Sequence, residues 1–164
     1  MSNYITDNVS IEDAEILFRN FAGKQSAYNP AGSRNFCVII PDDALADKMA
    51  DDGWNVKRLR PREEGDPERP YIQVNVSFNG RPPMVKLISS SGQTILDEDS
   101  IDMLDFVDID TVDLIVSPYN WRVNGKSGVK GYLRSMYVVV QEDEFAKKYA
   151  PSSANGPADD DLPF

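Results

Sequence analysis

The strongest fold signal in the sequence is the stretch TVDLIVSPYNWRVNGKSGVKGYLRSMYVVVQ, residues 111–141. It contains two runs, TVDLIVSPYNW and VKGYLRSMYVVVQ, that are rich in β-branched and aromatic residues, and such residues favour strands. The runs are joined by VNGKSG, in which Asn-Gly has the chemistry of a tight hairpin turn. The stretch therefore predicts a long β-hairpin that closes the fold, with the second run as the longest strand of the chain.

Alternation along the second strand predicts two faces of different character. Lys130, Tyr132 and Arg134 fall on one face. The opposite face is predicted to carry the apolar and aromatic side chains of Leu133, Tyr137 and Val139. A row of cation, aromatic and cation suits a single nucleic-acid strand, whose bases stack on the ring while its phosphates meet the charges. A solvated face of an edge strand would carry the same pattern, so this strand alone leaves both interpretations open.

The rest of the chain adds shorter strand and helix patterns. The strand patterns are AEILFRNFAG, RNFCVII, WNVKRLR, YIQVNVSF and MVKLIS, and the helix patterns are PDDALADKMADDG, LDEDSIDMLDFVD and EDEFAKKYA. In YIQVNVSF the apolar residues alternate strictly with Tyr71, Gln73, Asn75 and Ser77. About seven short strands with two or three short helices predict a mainly β fold, a small and partly open antiparallel barrel, rather than a βαβ fold.

Local composition predicts three parts of the chain. Residues 1–13 are polar and are expected to be a flexible N-terminus. Residues 14–150 contain all the periodic patterns and are expected to form the barrel domain. Residues 151–164, PSSANGPADDDLPF, lack periodicity and are expected to be a flexible, disordered linker with an acidic tail.

Composition narrows the classes of function. The chain has one cysteine, Cys37, and no histidine, so a zinc site and the common Cys-His or Ser-His-Asp nucleophile arrangements cannot be assembled. No cofactor is expected. No apolar run approaches the roughly 18 residues that a membrane span needs, and the N-terminus lacks a leader pattern. We therefore expect a soluble, cytoplasmic protein that does not contact a membrane.

Charge is segregated along the chain. The net charge of −10 argues against a nucleic-acid partner. However, the stretches 54–62, 69–96 and 114–140 contain basic residues and no acid, and they are the stretches with strand and hairpin patterns. The acids lie in other segments, so the predicted strands keep a local positive charge.

These acid-free stretches supply most of the candidate DNA-binding residues. The expected phosphate contacts are Lys57, Arg58, Arg60, Lys86, Arg122, Lys126, Lys130 and Arg134, and the expected stacking platforms are Tyr71, Tyr119, Trp121 and Tyr132. The loop 23–34 is a weaker candidate, a mobile arm that carries Lys24, Tyr28 and Arg34. A plain solvated surface remains the competing interpretation for each of these stretches.

Two other classes of function remain open. One is a Mg²⁺-dependent nuclease built on the acidic series between Asp97 and Asp113. The series does not fit an EF-hand, because Ile101 occupies the fifth loop position and Asp102 stands where glycine is required. Its acids are better explained as the polar side of a helix. The other class is an adaptor that binds replication proteins without touching DNA.

The C-terminus resembles a known docking peptide. Its last residues, DDDLPF, are similar to the acidic tip of bacterial single-stranded DNA-binding proteins, which in that family recruits replication, recombination and repair proteins. The resemblance implies that the chain's own tip docks on such partners through its acids and its apolar end. These residues are Asp159, Asp160, Asp161, Leu162, Pro163 and Phe164.

The body resembles a different family. The segments RNFAGK, RNFCV, DGWNVK, VSFNGRPP and NGKSGVKGYLRSMYV are similar to single-stranded DNA-binding proteins of tailed bacteriophages. That resemblance implies an OB-fold, sequence-tolerant binding of single-stranded DNA during phage replication, recombination and repair, and no catalysis. If the chain is encoded by a phage, its compartment is the host cytoplasm. Oligomeric state stays open, with a homo-oligomer as one outcome.

Overall fold

The computed structural model describes residues 5–61 and 63–142. The predicted hairpin is its longest feature. The antiparallel strands β8 (Ile109–Val123) and β9 (Lys126–Val140) pair from Ile109 to the turn at Asn124 and Gly125. The preceding strands are β1 (Val9–Ile11), β2 (Ile16–Asn20), β3 (Arg34–Ile39), β4 (Lys57–Leu59), β5 (Arg69–Val76), β6 (Met84–Ser89) and β7 (Gly92–Leu96).

The strands form one sheet that curls towards closure. Its main order is β1-β8-β9-β5-β3-β2, and β4 pairs with β5 while β6 joins β7 to β9. Because β1 and β2 are consecutive in the chain but lie at opposite ends of this order, the N-terminal segment bridges the two edges. The prediction of a mainly β, OB-like fold is confirmed.

Two strand pairs correct the expectation of a purely antiparallel barrel. The strand β9 runs parallel to β5, with Val74 opposite Gly131, and parallel to β6, with Val85 opposite Met136. Alternation specifies which face of a strand is buried, but it carries no information about the direction of the neighbouring strand. The direction of β9 relative to β5 and β6 is set by the path of the chain between these strands.

The core lies on the inner face of the curled sheet. The phenyl rings of Phe21 and Phe36 stack with their centroids 5.0 Å apart, and both are fully buried. The predicted alternation of β5 is confirmed, because Ile72, Val74 and Val76 are buried. Burying side chains of this size contributes roughly 1.5–3 kcal/mol each, so the alternation fixes the inner face of β5.

The helix predicted from PDDALADKMADDG is confirmed as α1 (Asp43–Asp52). The side chain of Asp42 accepts a hydrogen bond from the Leu45 backbone N–H at 3.0 Å and caps the helix N-terminus. Gly53 ends the helix in the left-handed region, with φ of 106°. Met49 is buried against the barrel. The last predicted helix, EDEFAKKYA, lies almost entirely outside the described residues.

Other local predictions were wrong in part. The segment LDEDSIDMLDFVD forms only one short 3₁₀ helix (Ile101–Asp105) instead of an amphipathic α-helix. The strand β7 was not predicted, because GQTIL is short and its exposed residues show little alternation. Upstream of residue 14, Val9–Ile11 pair with β8, and Ile11 is buried. No helix within the described residues is long and apolar enough to cross a membrane.

A bulge in β9 changes the faces predicted for its second half. Ser135 lies opposite Ile115 and Leu133 lies opposite Val116, which leaves Arg134 as an extra residue. Beyond this point Met136 and Val138 are buried, so Tyr137 and Val139 point outwards instead of inwards. An inserted residue reverses a period-two pattern, and nothing in the sequence marks this insertion.

Candidate nucleic-acid interface

Three aromatic side chains form a strip on the outer face of the hairpin. Tyr119 and Tyr132 meet edge to face, with ring centroids 5.8 Å apart and planes inclined by 76°. Trp121 lies opposite Gly128, and its indole covers the space above that glycine. Lys130 lies opposite Tyr119 in the same antiparallel pair. We call Tyr119, Trp121 and Tyr132 the aromatic strip.

The first groove lies along one flank of the aromatic strip. It encloses about 680 Å³ between β8, β9 and the turn that joins β5 to β6. Its walls contain two cations, Arg81 and Arg134, and no acid. Its lining residues are Ser77, Asn79, Arg81, Pro82, Met84, Ser117, Tyr119, Tyr132, Leu133, Arg134 and Ser135.

The second groove lies on the other flank and reaches β5. It encloses about 510 Å³ and is lined by Gln73, Asn75, Trp121 and Lys130, among others, again without an acid. The side-chain amide of Asn75 donates to the carbonyl oxygen of Gly131 at 3.2 Å, which fixes this side chain at the boundary between β5 and β9. The uncharged face predicted for β5 therefore opens into a groove beside the aromatic strip.

Other depressions of the described surface have the opposite charge. One between α1 and the start of β5 contains Asp13, Glu15, Asp42, Asp43 and Glu68. Another, beside β8, contains Asp108 and Asp110. The charge segregation seen along the sequence is therefore a segregation in space, with acids kept out of both grooves beside the aromatic strip.

The basic residues of WNVKRLR do not act as one group. Arg58 reaches α1, where its guanidinium lies 3.0 Å from an Asp43 carboxylate oxygen and 3.4 Å from one of Asp47. Lys57 lies opposite Tyr71 on the outer face of the sheet. Arg60 is exposed just after β4. Neighbouring side chains of a strand point to opposite faces. Arg58 therefore does not lie on the outer face, where Lys57 and Tyr71 lie.

The hairpin cations lie at different places along β8 and β9. Lys130 lines the second groove, and Arg134 lines the first. Arg122 lies opposite Ser127, on the face away from Trp121, and Lys126 lies at the hairpin turn opposite Val123. Two of these four cations are therefore in the grooves, and the other two lie towards the tip of the hairpin.

Three predicted cations lie against aromatic rings outside both grooves. The ammonium nitrogen of Lys24 is 5.4 Å from the centroid of the Phe106 ring, and that of Lys86 is 6.0 Å from the Tyr137 ring. Arg34 donates to the carbonyl oxygen of Phe21 at 2.6 Å, and its guanidinium lies over the Phe78 ring. Basic residues from stretches of sequence without acids therefore do not all lie at one site.

Groove residues missing from the prediction lie mainly in a turn. Asn79 and Arg81 belong to the segment NGRPP between β5 and β6, and both line the first groove. The available signal was a cation within a turn between two acid-free strands. It was too weak to single out Arg81, because turns on any protein surface carry cations.

Two acids of the series between Asp97 and Asp113 accept hydrogen bonds that stabilise the local structure. The carboxylate of Asp105 accepts hydrogen bonds from the backbone N–H groups of Phe21 and Ala22, at 2.7 and 3.0 Å. A hydrogen bond from the Ser100 hydroxyl lowers the pKa of Asp97. Among the residues that the structure describes, no cluster of three or more potential ligands is arranged to hold a metal ion.

Gly128 lets the Trp121 ring lie flat on the strand. A Cβ atom at position 128 would be 2.8 Å from Cζ2 of Trp121, which is too close, so the partly exposed ring has to move. We expect Gly128→Ala to leave the unfolding temperature almost unchanged but to make tryptophan fluorescence more accessible to acrylamide quenching. The matched control is Ser127→Ala, and equal quenching in both variants would contradict this placement of the ring.

An OB-like barrel whose outer face carries an aromatic strip between two acid-free grooves defines a class, the single-stranded nucleic-acid-binding proteins. The sequence matches the family described as "Putative phage ssDNA-binding domain" over residues 1–161, and the chain belongs to this family. The family is defined by binding and not by a catalysed reaction, so the chain is a binding protein rather than an enzyme.

Solved structures share the fold. The single-stranded DNA-binding protein from bacteriophage Enc34, in complex with single-stranded DNA, is 10% identical with a TM-score of 0.55, over 84% of this chain and 89% of that chain. Its C-terminal truncation gives a TM-score of 0.53 at 10% identity, over 83% and 87%. At this identity the likeness concerns the fold alone. No curated protein sequence matches the chain.

Proposed function

We propose that the chain binds single-stranded DNA, without sequence preference, on the outer face of β5, β8 and β9. The observation that carries this proposal is the pair of acid-free grooves that flank the aromatic strip on a chain of net charge −10. Every base has a face that can stack on an aromatic ring, so such a strip tolerates any sequence. Membership of the phage family supports the same partner.

The cations in the grooves suit phosphates, and the uncharged groups suit the rest of the strand. Lys130 and Arg134 lie beside the aromatic strip, where a stacked base would place its flanking phosphates. Asn75, Gln73 and Ser77 offer hydrogen bonds to sugar and base edges without repelling phosphate. A duplex hides its base faces in the helical stack, so this arrangement favours single strands.

The biological role we propose is to coat and protect single-stranded DNA during phage DNA replication, recombination and repair. We also propose that the tip DDDLPF recruits partner proteins. A basic pocket with an apolar hole would accommodate the three aspartates, the Phe164 ring and the terminal carboxylate together. The support for this docking role comes from the sequence, because the tip lies outside the described residues.

A salt titration tests the proposal. Binding to oligo-dT should weaken steeply with salt, and duplex of the same length should bind more weakly at each concentration. Lys130→Ala should lower the salt slope by about 0.7, the value expected for one lost phosphate contact on a single strand. Lys48→Ala is the matched control, because Lys48 lies on α1 and pairs with Asp52. Equal slopes for the two variants would remove Lys130 from the site.

A further inference from the structure

Phe18 has an unusual backbone for an aromatic residue. It lies in β2 with φ of +52°, in the left-handed region, where only Asp13 and Asn124 join it among the non-glycine residues that the structure describes. Asn and Asp tolerate this region because their short side chains bond to the local backbone, whereas phenylalanine has no such compensation. The pairing of β2 with β3 shifts register between Leu17 and Asn20, so an irregularity of the strand imposes this conformation.

The strained backbone presents the Phe18 ring to solvent. The side chain is 62% exposed, so burial in the core does not compensate for the strain. Its ring meets that of Tyr71 edge to face, with centroids 6.2 Å apart and planes inclined by 63°. Strained residues with exposed, oriented side chains concentrate at binding sites. Core packing therefore does not explain why Phe18 keeps its strained backbone and its contact with Tyr71.

The Phe18–Tyr71 pair continues the surface of the second groove. Tyr71, Gln73 and Asn75 alternate with buried residues and so share the outer face of β5. Gln73 and Asn75 already line the second groove. Tyr71 lies two residues before Gln73, or about 7 Å along the strand. A strand of DNA that leaves the second groove along β5 thus reaches Tyr71 and then Phe18.

The local charge also suits a phosphate backbone. Lys57 lies directly opposite Tyr71. Burial raises the pKa of the Cys37 thiol, and the positive charge of Lys57 partly opposes that rise, so this charge acts on the outer face. Among the acids near the start of β5, Glu15 is bonded to the guanidinium of Arg69 at both carboxylate oxygens. That ion pair lowers the pKa of Glu15 and offsets its charge. The charge directly opposite Tyr71 is therefore positive, and the charge of Glu15 is offset by Arg69.

We propose that Phe18 and Tyr71 form a second base-stacking site, so that one DNA strand runs from the aromatic strip across Asn75 and Gln73 to Phe18. This inference rests on the proposed function and extends its site to β2. It also assigns Lys57 to the phosphate of a base stacked there. The alternative role of Phe18 is to cover Cys37 and Ile39 on the neighbouring strand, which are both 8% exposed.

The variant Phe18→Gly separates the two roles. Glycine adopts positive φ without strain, so the unfolding temperature should stay the same or rise. Affinity for oligo-dT should fall about five-fold or more, as expected when one stacked base is lost. The control is Phe106→Ala, which removes a 73% exposed phenylalanine that also lies beside a cation, and it should leave affinity unchanged.

The outcomes distinguish this inference from the proposed function. Unchanged affinity of Phe18→Gly, in a protein whose Tyr132→Ala variant binds weakly, overturns the second stacking site and leaves the first. Unchanged affinity of both variants overturns the proposed function itself. If Phe18→Gly is unstable, Phe18→Asn decides, because asparagine tolerates the left-handed region and also removes the ring. Binding by a folded Phe18→Asn variant as tight as that of the parent protein would overturn the inference.

Discussion

Tyr132→Ala is expected to weaken binding to oligo-dT by about ten-fold or more. The Tyr132 ring lies at the centre of the aromatic strip, lines the first groove and holds Tyr119 edge to face. A base stacked on an aromatic contributes roughly 1–3 kcal/mol, and each 1.4 kcal/mol is about ten-fold in affinity. The loss of Tyr132 also frees Tyr119, so the effect should lie towards the upper part of that range. Fluorescence anisotropy of labelled oligo-dT at fixed salt measures it.

Tyr137→Ala is the matched control for this result. Tyr137 lies on the same strand and also points outwards, but it lies beyond the bulge against Lys86 and lines neither groove. Its removal should change affinity less than about two-fold, since no stacked base is lost. If both variants retain the affinity of the parent protein and remain folded, the aromatic strip is not the binding site.

Gly131→Ala is expected to destabilise the protein by about 1–3 kcal/mol, the usual cost of overpacking a core. A Cβ atom at position 131 would lie 2.8 Å from Cγ1 of Val116 and 3.1 Å from Cζ3 of Trp54. Both neighbours are buried, so neither can move into solvent. Gly131→Val should cost more, because it adds two further methyl groups to the same space. Urea denaturation followed by circular dichroism measures the loss.

Gly128→Ala provides the comparison for Gly131→Ala. The substitution is the same, the position is three residues earlier on β9, and the close contact at 2.8 Å is again with another side chain. At position 128, however, the contact is with the partly exposed Trp121 ring, which can move. Equal destabilisation by the two variants would show that Trp54 and Val116 do not close the space above Gly131.

Local pattern was enough to predict much of the fold. The hairpin followed from two strand runs around Asn-Gly, and the faces of β5 followed from its strict alternation. The ends of α1 followed from Asp42 and Gly53. Each of these features depends on residues within a few positions of one another, so the chemistry that sets them is visible in the sequence.

The candidate site was predictable only in outline. The aromatic residues of the hairpin were identified, and three of them form the aromatic strip. The sequence did not show where each cation lies, since Arg58 pairs with Asp43 and Asp47 while Lys86 lies against Tyr137. Long, flexible cations take whichever partner the tertiary structure brings near them, and those partners are distant in sequence.

The class of fold, the hairpin and the uncharged polar face of β5 follow from the amino-acid sequence, since periodicity and turn chemistry act locally. The parallel pairing of β9, the bulge at Arg134 and the strained exposure of Phe18 are visible only in the folded structure. These features arise from register between strands that lie far apart in the chain. A shift of one residue there changes which face each side chain occupies, and the local pattern does not record such a shift.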